Sequence, residues 1–465
     1  MSSFNSVSPA IAAAPADGLP VPRRYWAIAV IVLVIAITVL DSTIVNVALP
    51  SIARDLEASS AASIWVINAY QLAILMLLLP LASLGEIVGY RRVCQMGIVV
   101  FTLASLSCAL APTLLTLSVA RVVQGVGAAG IMSVNAALVR FTYPQRYLGR
   151  ALAFNAFVVA ASAALGPTVA SGVLAVAPWR WLFGINIPLG TLALVIALFA
   201  LPENERARRP INYVGGLLYA GTFGLFLSGV QSLAHHSATP LALMEIGCGF
   251  ALGVILVRRE LPRAGPILPF DLLRVRVIAV SLCASVCSFI AQMGALVALP
   301  FEIQRLGHTP VETGLFMTAW PLALAIVAPI AGRLADRHSP GVLGSVGLVV
   351  MAAGLGSLAF PPPSLSASGF VWRMAVCGLG FGFFQPPNNR FLLSTAPRAR
   401  SGAAGGLLST ARLVGQTLGA AGVAILFRHH PATGSNLALC GAAAMAMLAA
   451  LVNVIGLRKV AVASS

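Results

Sequence analysis

Charge is what this chain has least of. Only 9% of its 465 residues are charged, and acids are the scarcer sign, with 13 Asp and Glu against 29 Lys and Arg. A soluble domain with 59% hydrophobic residues and a mean hydropathy of +0.93 would leave large uncovered apolar patches. Composition therefore excludes a soluble protein and implies a polytopic membrane protein. The seven cysteines are scattered at 94, 108, 248, 283, 287, 377 and 440 with no CxxC. They exclude a disulfide framework and read as small hydrophobes, Cys283 and Cys287 on one helical face included. The six histidines at 235, 236, 308, 338, 429 and 430 fall in expected loops and carry no metal-ligand spacing. No GxxxxGK[ST], HExxH or GxSxG occurs, so neither direct ATP use nor a soluble hydrolase module is expected. The chain reads as no enzyme, with no cofactor and no metal.

What is present is apolar length. Fourteen runs of spanning length lie near 25–49, 64–84, 93–111, 113–140, 149–177, 182–201, 213–233, 240–257, 277–301, 312–334, 341–360, 366–391, 402–427 and 435–457. The expected fold is an all-α polytopic bundle. Residues 1–24 lack a basic n-region with a short apolar core and read as a cytosolic tail, since Arg23 and Arg24 precede a full span. With that end in the cytosol, Arg54, Arg180, Arg305, Arg373 and Arg428 fall on the outer side and Arg121 and Arg412 within spans. The other basic residues fall inside, which satisfies the positive-inside rule. The net charge of +16 is thus an orientation signal, and without interleaved aromatics it does not imply a nucleic-acid partner. Both termini are expected in the cytosol of a bacterium, with the chain in its inner membrane and the lipid bilayer as its surround.

The chain also repeats. At a shift of 253, Gly125 meets Gly378, Gly127 meets Gly380, Asn135 meets Asn388, Pro144 meets Pro397, Gly149 meets Gly402 and Gly166 meets Gly419. Leu84-Gly85-Glu86 meets Leu334-Ala335-Asp336 at a shift of 250. Two parallel six-helix halves, 25–201 and 277–457, follow, with a linker (202–276) holding two extra helices and a C-terminal tail at 458–465.

One carboxylate lies inside an apolar run. Asp41 is the only charged residue between Tyr25 and Leu49. An ionised Asp at mid-membrane depth costs roughly 2.5–3.5 kcal/mol, so a functional role is the first reading. The competing one is a cap at the outer helix end beside Ser42 and Thr43. Arg121, also inside a span, needs a carboxylate, a carbonyl or trapped water, or else reaches for one membrane face.

LDSTIVNVALP at 40–50 and WRWLFGINIPLG at 179–190 resemble hallmarks of the fourteen-helix drug:proton antiporter branch of the major facilitator superfamily. RVVQGVGAAG at 121–130 resembles its fourth-helix motif. Glu86, Gly89, Arg91 and Arg92, with a second copy at Gly332, Asp336 and Arg337, resemble its loop motif, an acid among arginines suited to latch the halves together. Gly89 permits the tight turn there. Gly166 and Pro167 resemble part of its antiporter motif, with Ser162, Ala170 and Ser171 in place of glycines; Pro167 frees a backbone carbonyl and bends the helix.

The resemblance implies proton coupling through Asp41 and Arg121, both expected to point into the central cavity. It also implies export by alternating access, powered by the proton gradient. Asn46, Trp65, Asn68, Tyr70, Gln71, Gln124, Gln292, Trp320, Phe384, Gln385 and Asn388 are candidate cavity residues. Such a lining suits a bulky lipophilic substrate that is neutral or singly positive, carried by a monomer. The rival reading is a same-fold exporter or symporter of one metabolite. Glu245 reads as a peripheral acid. Arg412 either faces the cavity beside Gln416 or sits structurally near the cytosolic end.

Overall fold

A computed structural model of the chain describes residues 18–144, 147–203, 212–233, 239–262, 270–335, 339–360, 366–395 and 401–463. Asp336 and Arg337 of the second loop motif lie outside them, as does most of the N-terminal tail. The first half comprises α1 (Arg23–Asp55), α2 (Ser60–Ser63), α3 (Trp65–Val88), α4 (Tyr90–Ala109), α5 (Leu114–Thr142), α6 (Leu148–Val176), α7 (Arg180–Gly184) and α8 (Asn186–Ala200). Next come α9 (Tyr213–Ser232), α10 (Thr239–Glu260) and the short α11 (Phe270–Leu273). The second half is α12 (Arg276–Arg305), α13 (Pro310–Leu334), α14 (Pro340–Ala359), α15 (Ala367–Thr395), α16 (Ser401–His429) and α17 (Gly434–Ala463). Among the described residues fourteen helices are long and apolar enough to span a membrane; α2 with α3, and α7 with α8, each count as one.

Helix is what such apolar sequence must form in lipid, because only there does each backbone group find its partner locally. The ends carry their own signals. Thr113 and Thr309 open α5 and α13 with reciprocal capping boxes. A single residue, Gly89 at φ +113°, joins α3 to α4.

The repeat is a packing repeat. In the first half α4 and α3 pack on α5, and α6 and α8 on α1; in the second half α14 and α13 pack on α15, and α16 and α17 on α12. The glycines mark where these helices touch. A Cβ on Gly125 would stand 2.6 Å from the carbonyl oxygen of Tyr70, and one on Gly378 would overlap that of Trp320. Gly127 lies against Gly97 and Phe101, and Gly380 against Gly347 and Met351. Each partner pair is also 250 residues apart, so both sequence copies fold into the same contacts.

Between the halves, α6 packs on α13 and α3 on α16. We call the side bearing Asp55, Ser60 and Arg305 the distal face and the side bearing Arg23 and Gly89 the terminal face. Near the distal face one apolar core runs through both halves, joining Val47, Leu49 and Phe183 to Met293, Trp320 and Phe427. Toward the terminal face the second half has its own core at Ile278, Leu282, Leu392 and Leu407. There the halves meet along the α3–α16 seam, where Leu79 lies beside Gly406 and Leu413 enters the first half's core. Among the described residues the halves thus share their main core near the distal face.

The extra pair packs as a hairpin, with α9 covering α3 and α16 from outside. Glu245 accepts from Ser232 at 3.1 Å and Ser228 at 3.4 Å, within that hairpin and away from the interface of the halves.

Candidate functional site: a sealed charge pair

Asp41 sits mid-way along α1, which continues fourteen residues beyond it to Asp55. Ser42 and Thr43 turn their hydroxyls back onto carbonyls of α1, Val39 at 2.7 Å and Leu40 at 2.9 Å. Asp41 therefore caps nothing. Its side chain is wholly buried, and so, to within 1% exposure, is Arg121. Arg121 reaches no membrane face: it donates through Nη1 to Asp41 Oδ2.

The rest of the cluster holds that pair in place. Arg121 Nη1 also donates to Gln124 Oε1 at 2.6 Å, and its Nε to the backbone carbonyl of Val66 at 2.9 Å. Gln124, one turn on along α5, donates to Asp41 Oδ1 at 2.9 Å and to Ser105 of α4 at 2.8 Å. Asn186 donates to the same Oδ1 at 2.7 Å. The guanidinium lies 4.0 Å over the ring of Tyr70 and 5.6 Å from that of Phe183. Tyr70 in turn donates to the carbonyl of Thr38 at 3.2 Å, one turn before Asp41. Both carboxylate oxygens are satisfied, which is the condition for keeping an ion pair in a low-dielectric interior.

Sequence reasoning missed Asn186 and Ser105. Asn186 begins α8, which continues α7 through Ile185 at φ −60° and ψ −31°, so the two run as one span. It is the only amide in the WRWLFGINIPLG stretch, and that was the available signal.

Several expectations are corrected. Asp41 and Arg121 do not open onto a cavity between the halves; six helices of the first half (α1, α3, α4, α5, α7 and α8) enclose them. Tyr70 and Gln124 belong to this enclosure and not to a cavity wall. Phe384 packs with Leu348, Ala449 and Ala450 on the α14 and α17 side. Asn388 donates to Ser285 at 2.8 Å and fastens α15 to α12. Arg91 pairs with Glu203 at 2.9 Å and donates to the carbonyl of Leu198, so it ties α4 to the end of α8, and among the described residues it has no partner in the second half. Arg92 is exposed and Glu86 half-buried.

Other candidates lie at the interface itself. Gln71 reaches Met293 of α12 at 4.0 Å, while its own Oε1, Asn46 Oδ1, Asn68 Oδ1 and Trp320 Nε1 are buried without a partner. Trp65, Gln292 and Gln385 are half-buried. Gly166 and Pro167 do make contacts that matter. Gly166 admits Thr43 of α1, and the Pro167 carbonyl beside it, with Ser171 one turn further along α6, receives Gly314 of α13. Thr168 and Thr318 share a hydrogen bond of 2.8 Å across the same contact.

The second half repeats the scaffold without the charges. Ala291 and Met374, both fully buried, stand where the repeat places counterparts of Asp41 and Arg121.

Two equivalent six-helix halves, one of them built around a buried charge pair, with an extra helix pair between them, define a membrane transporter. The Major Facilitator Superfamily model matches residues 31–420, and the chain belongs to that superfamily. It is 49% identical to an uncharacterized transporter of Escherichia coli K12, YebQ, over 95% of this chain and 97% of that one. It is 33% identical to the multidrug resistance protein Stp of Mycobacterium tuberculosis, over 82% of this chain and 71% of the relative. It is 28% identical to the riboflavin transporter RibZ of Clostridioides difficile, over 86% and 87%. The crystal structure of a D-xylose-proton symporter superposes with a TM-score of 0.68 at 15% identity, covering 92% of this chain and 96% of the other; that likeness concerns the fold alone.

Proposed function

We propose that the chain exports small lipophilic compounds in exchange for protons by alternating access. The observation that carries this is the sealed pair: Asp41 is the one carboxylate deep in the first half, and Gln124 and Asn186 hold it against Arg121. Protonating Asp41 would discharge one partner of a buried pair, and breaking such a pair costs about 3–5 kcal/mol. Arg121 cannot lose its own charge, so it would have to find other partners. A proton bound at Asp41 thus biases the packing of α1 against α5 and α8.

That bias has a route to the interface. Thr43, two residues past Asp41, seats in the notch at Gly166, and Pro167 and Ser171 of α6 carry the contact with α13. Movement of α1 therefore acts on the seam between the halves. Inward proton flow supplies the drive, about 2.3 kcal/mol per charge per 100 mV plus the pH gradient. In this reading the protein works as a monomer in the inner membrane of a bacterium, with both termini in the cytosol, and needs no cofactor. Relatives that include a multidrug resistance protein support export of foreign compounds, and the riboflavin transporter keeps a single-metabolite carrier as the rival.

The test uses energised inverted membrane vesicles, with a dye reporting the pH gradient and a panel of lipophilic compounds of each charge type. Collapse of the gradient by some of them, absent in Asp41→Asn, is expected. A parent that responds to none, or Asp41→Asn vesicles that respond as well as the parent, would overturn the reading.

A further inference from the structure

The second half holds a cation that nothing in the first half answers. Arg412 lies eleven residues into α16, about 16 Å along the axis at about 1.5 Å per residue, which is too deep for its guanidinium to reach the helix end. Among the described residues it has no ion pair and no hydrogen bond, and its Nε is buried without an acceptor. Asp41, the carboxylate at comparable depth, is already committed to Arg121.

The helix register shows which way Arg412 faces. Gly415 and Gly419 seat α16 on Val286 and Ile290 of α12. Measured round the helix from Gly415, Leu413 and Gly406, which meet the first half, lie at about 160–180°. Val414 and Leu418, packed with the core that includes Leu227 of α9, lie on the outer side at about 260–300°. Arg412 and Gln416 fall at about 60° and 100°, on the inner side between α12 and α3. Gly405, two turns before Arg412 on that same side, has no atom within 4 Å of where its Cβ would be. Arg412 itself is half-buried, with its Nε fully buried. Gly405 and the partial exposure of Arg412 show that this side of α16 is incompletely packed.

We propose that Arg412 is the anion-binding group of the substrate chamber, and that the cargo is a small lipophilic acid whose carboxylate pairs with the guanidinium while Gln416 offers a second hydrogen bond. A permanent cation within the membrane interior is costly and cannot deprotonate, so it is retained where a counter-charge arrives. A carboxylate matches the guanidinium fork in geometry as well as in charge. The inference rests on the export reading above for direction only, and it reverses the sign of cargo expected from the sequence. It also fits the drive: exchanging one inward proton for one outward monoanion moves two elementary charges in the same electrical sense. A neutral cargo would move one, and a monocation none.

The experiment compares three probes with one pyrene body: 1-pyrenebutyrate, its neutral amide, and the corresponding butyl-trimethylammonium. Binding to the purified full-length protein in detergent is followed by pyrene fluorescence without any gradient, so it can fail while export holds, or hold while export fails. Pyrenebutyrate is expected to bind at least about tenfold more tightly than the ammonium probe. Arg412→Gln should bring that ratio close to one and Arg412→Lys should keep part of it, with thermal unfolding confirming that both variants fold. Equal affinities in the parent, a preference for the ammonium, no measurable binding of the carboxylate, or a ratio that survives Arg412→Gln would each overturn the proposal.

Discussion

Thr43 of α1 fills the notch that Gly166 leaves on α6, two residues past the carboxylate at Asp41. The contact has no slack, since a methyl group at Gly166 would overlap the Thr43 side chain. Overpacking of this kind costs about 1–3 kcal/mol where neighbours cannot yield. Gly166→Ala is therefore expected to push α1 and α6 apart and to cut gradient-driven transport by about tenfold or more. Thr43→Ala removes the hydroxyl, the nearest atom in the way, and leaves its own Cβ at 2.7 Å, so Thr43→Ala/Gly166→Ala should recover part of the loss. Vesicle transport rates for the two singles and the double check this. Loss in Gly166→Ala that the second change fails to relieve would mean the glycine serves another contact.

The turn at Gly89 makes a separate prediction. It alone links α3 to α4, and its φ of +113° lies where side chains with a Cβ are strained. The equivalent position in the second half is Ser339 at φ −55°, placed before Pro340, so this residue is not left-handed. Gly89→Ala is expected to cost about 1–3 kcal/mol. A lower thermal midpoint in detergent should show it, while Ser339→Ala changes the midpoint far less.

Much of this architecture was legible because lipid leaves the backbone so few choices. Long apolar runs could only be spanning helices, and the glycine register exposed the repeat because small residues are needed where helices touch. Asp41 and Arg121 stood out as lone charges in apolar sequence. What could not be read was which face of each helix looks inward, since helices apolar all round carry no amphipathic stripe. Tyr70, Gln124 and Phe384 were therefore placed on a cavity wall, whereas packing puts the first two around the charge pair and the third on the far side of α15. Asn186 was hidden for another reason. An amide at the start of a span, among Trp and Arg, looks like an end signal, and only the packing of the helices shows it donating to Asp41. Arg412 was left with two readings until the glycines of its own helix fixed the register.

The charge pair itself yields an asymmetry between its partners. Asp41→Asn leaves Arg121 as a buried cation that cannot shed its proton, whereas Arg121→Gln leaves a carboxylate that can take one up. Asp41→Asn should therefore be the more destabilising change, toward the upper part of the roughly 3–5 kcal/mol range for a broken buried pair, with Arg121→Gln below it. The double variant Asp41→Asn/Arg121→Gln removes both charges and keeps amides for Gln124 and Asn186 to meet. Its stability should return close to that of the parent, because the scaffold does not need the pair: the second half makes the same helix contacts around Ala291 and Met374. Proton-coupled transport should be absent from the double all the same. Thermal unfolding in detergent and vesicle assays on the three variants separate the two roles. A double variant as unstable as Asp41→Asn would mean that the pair holds the helices together, and a double that still exchanges protons for cargo would place the coupling site elsewhere.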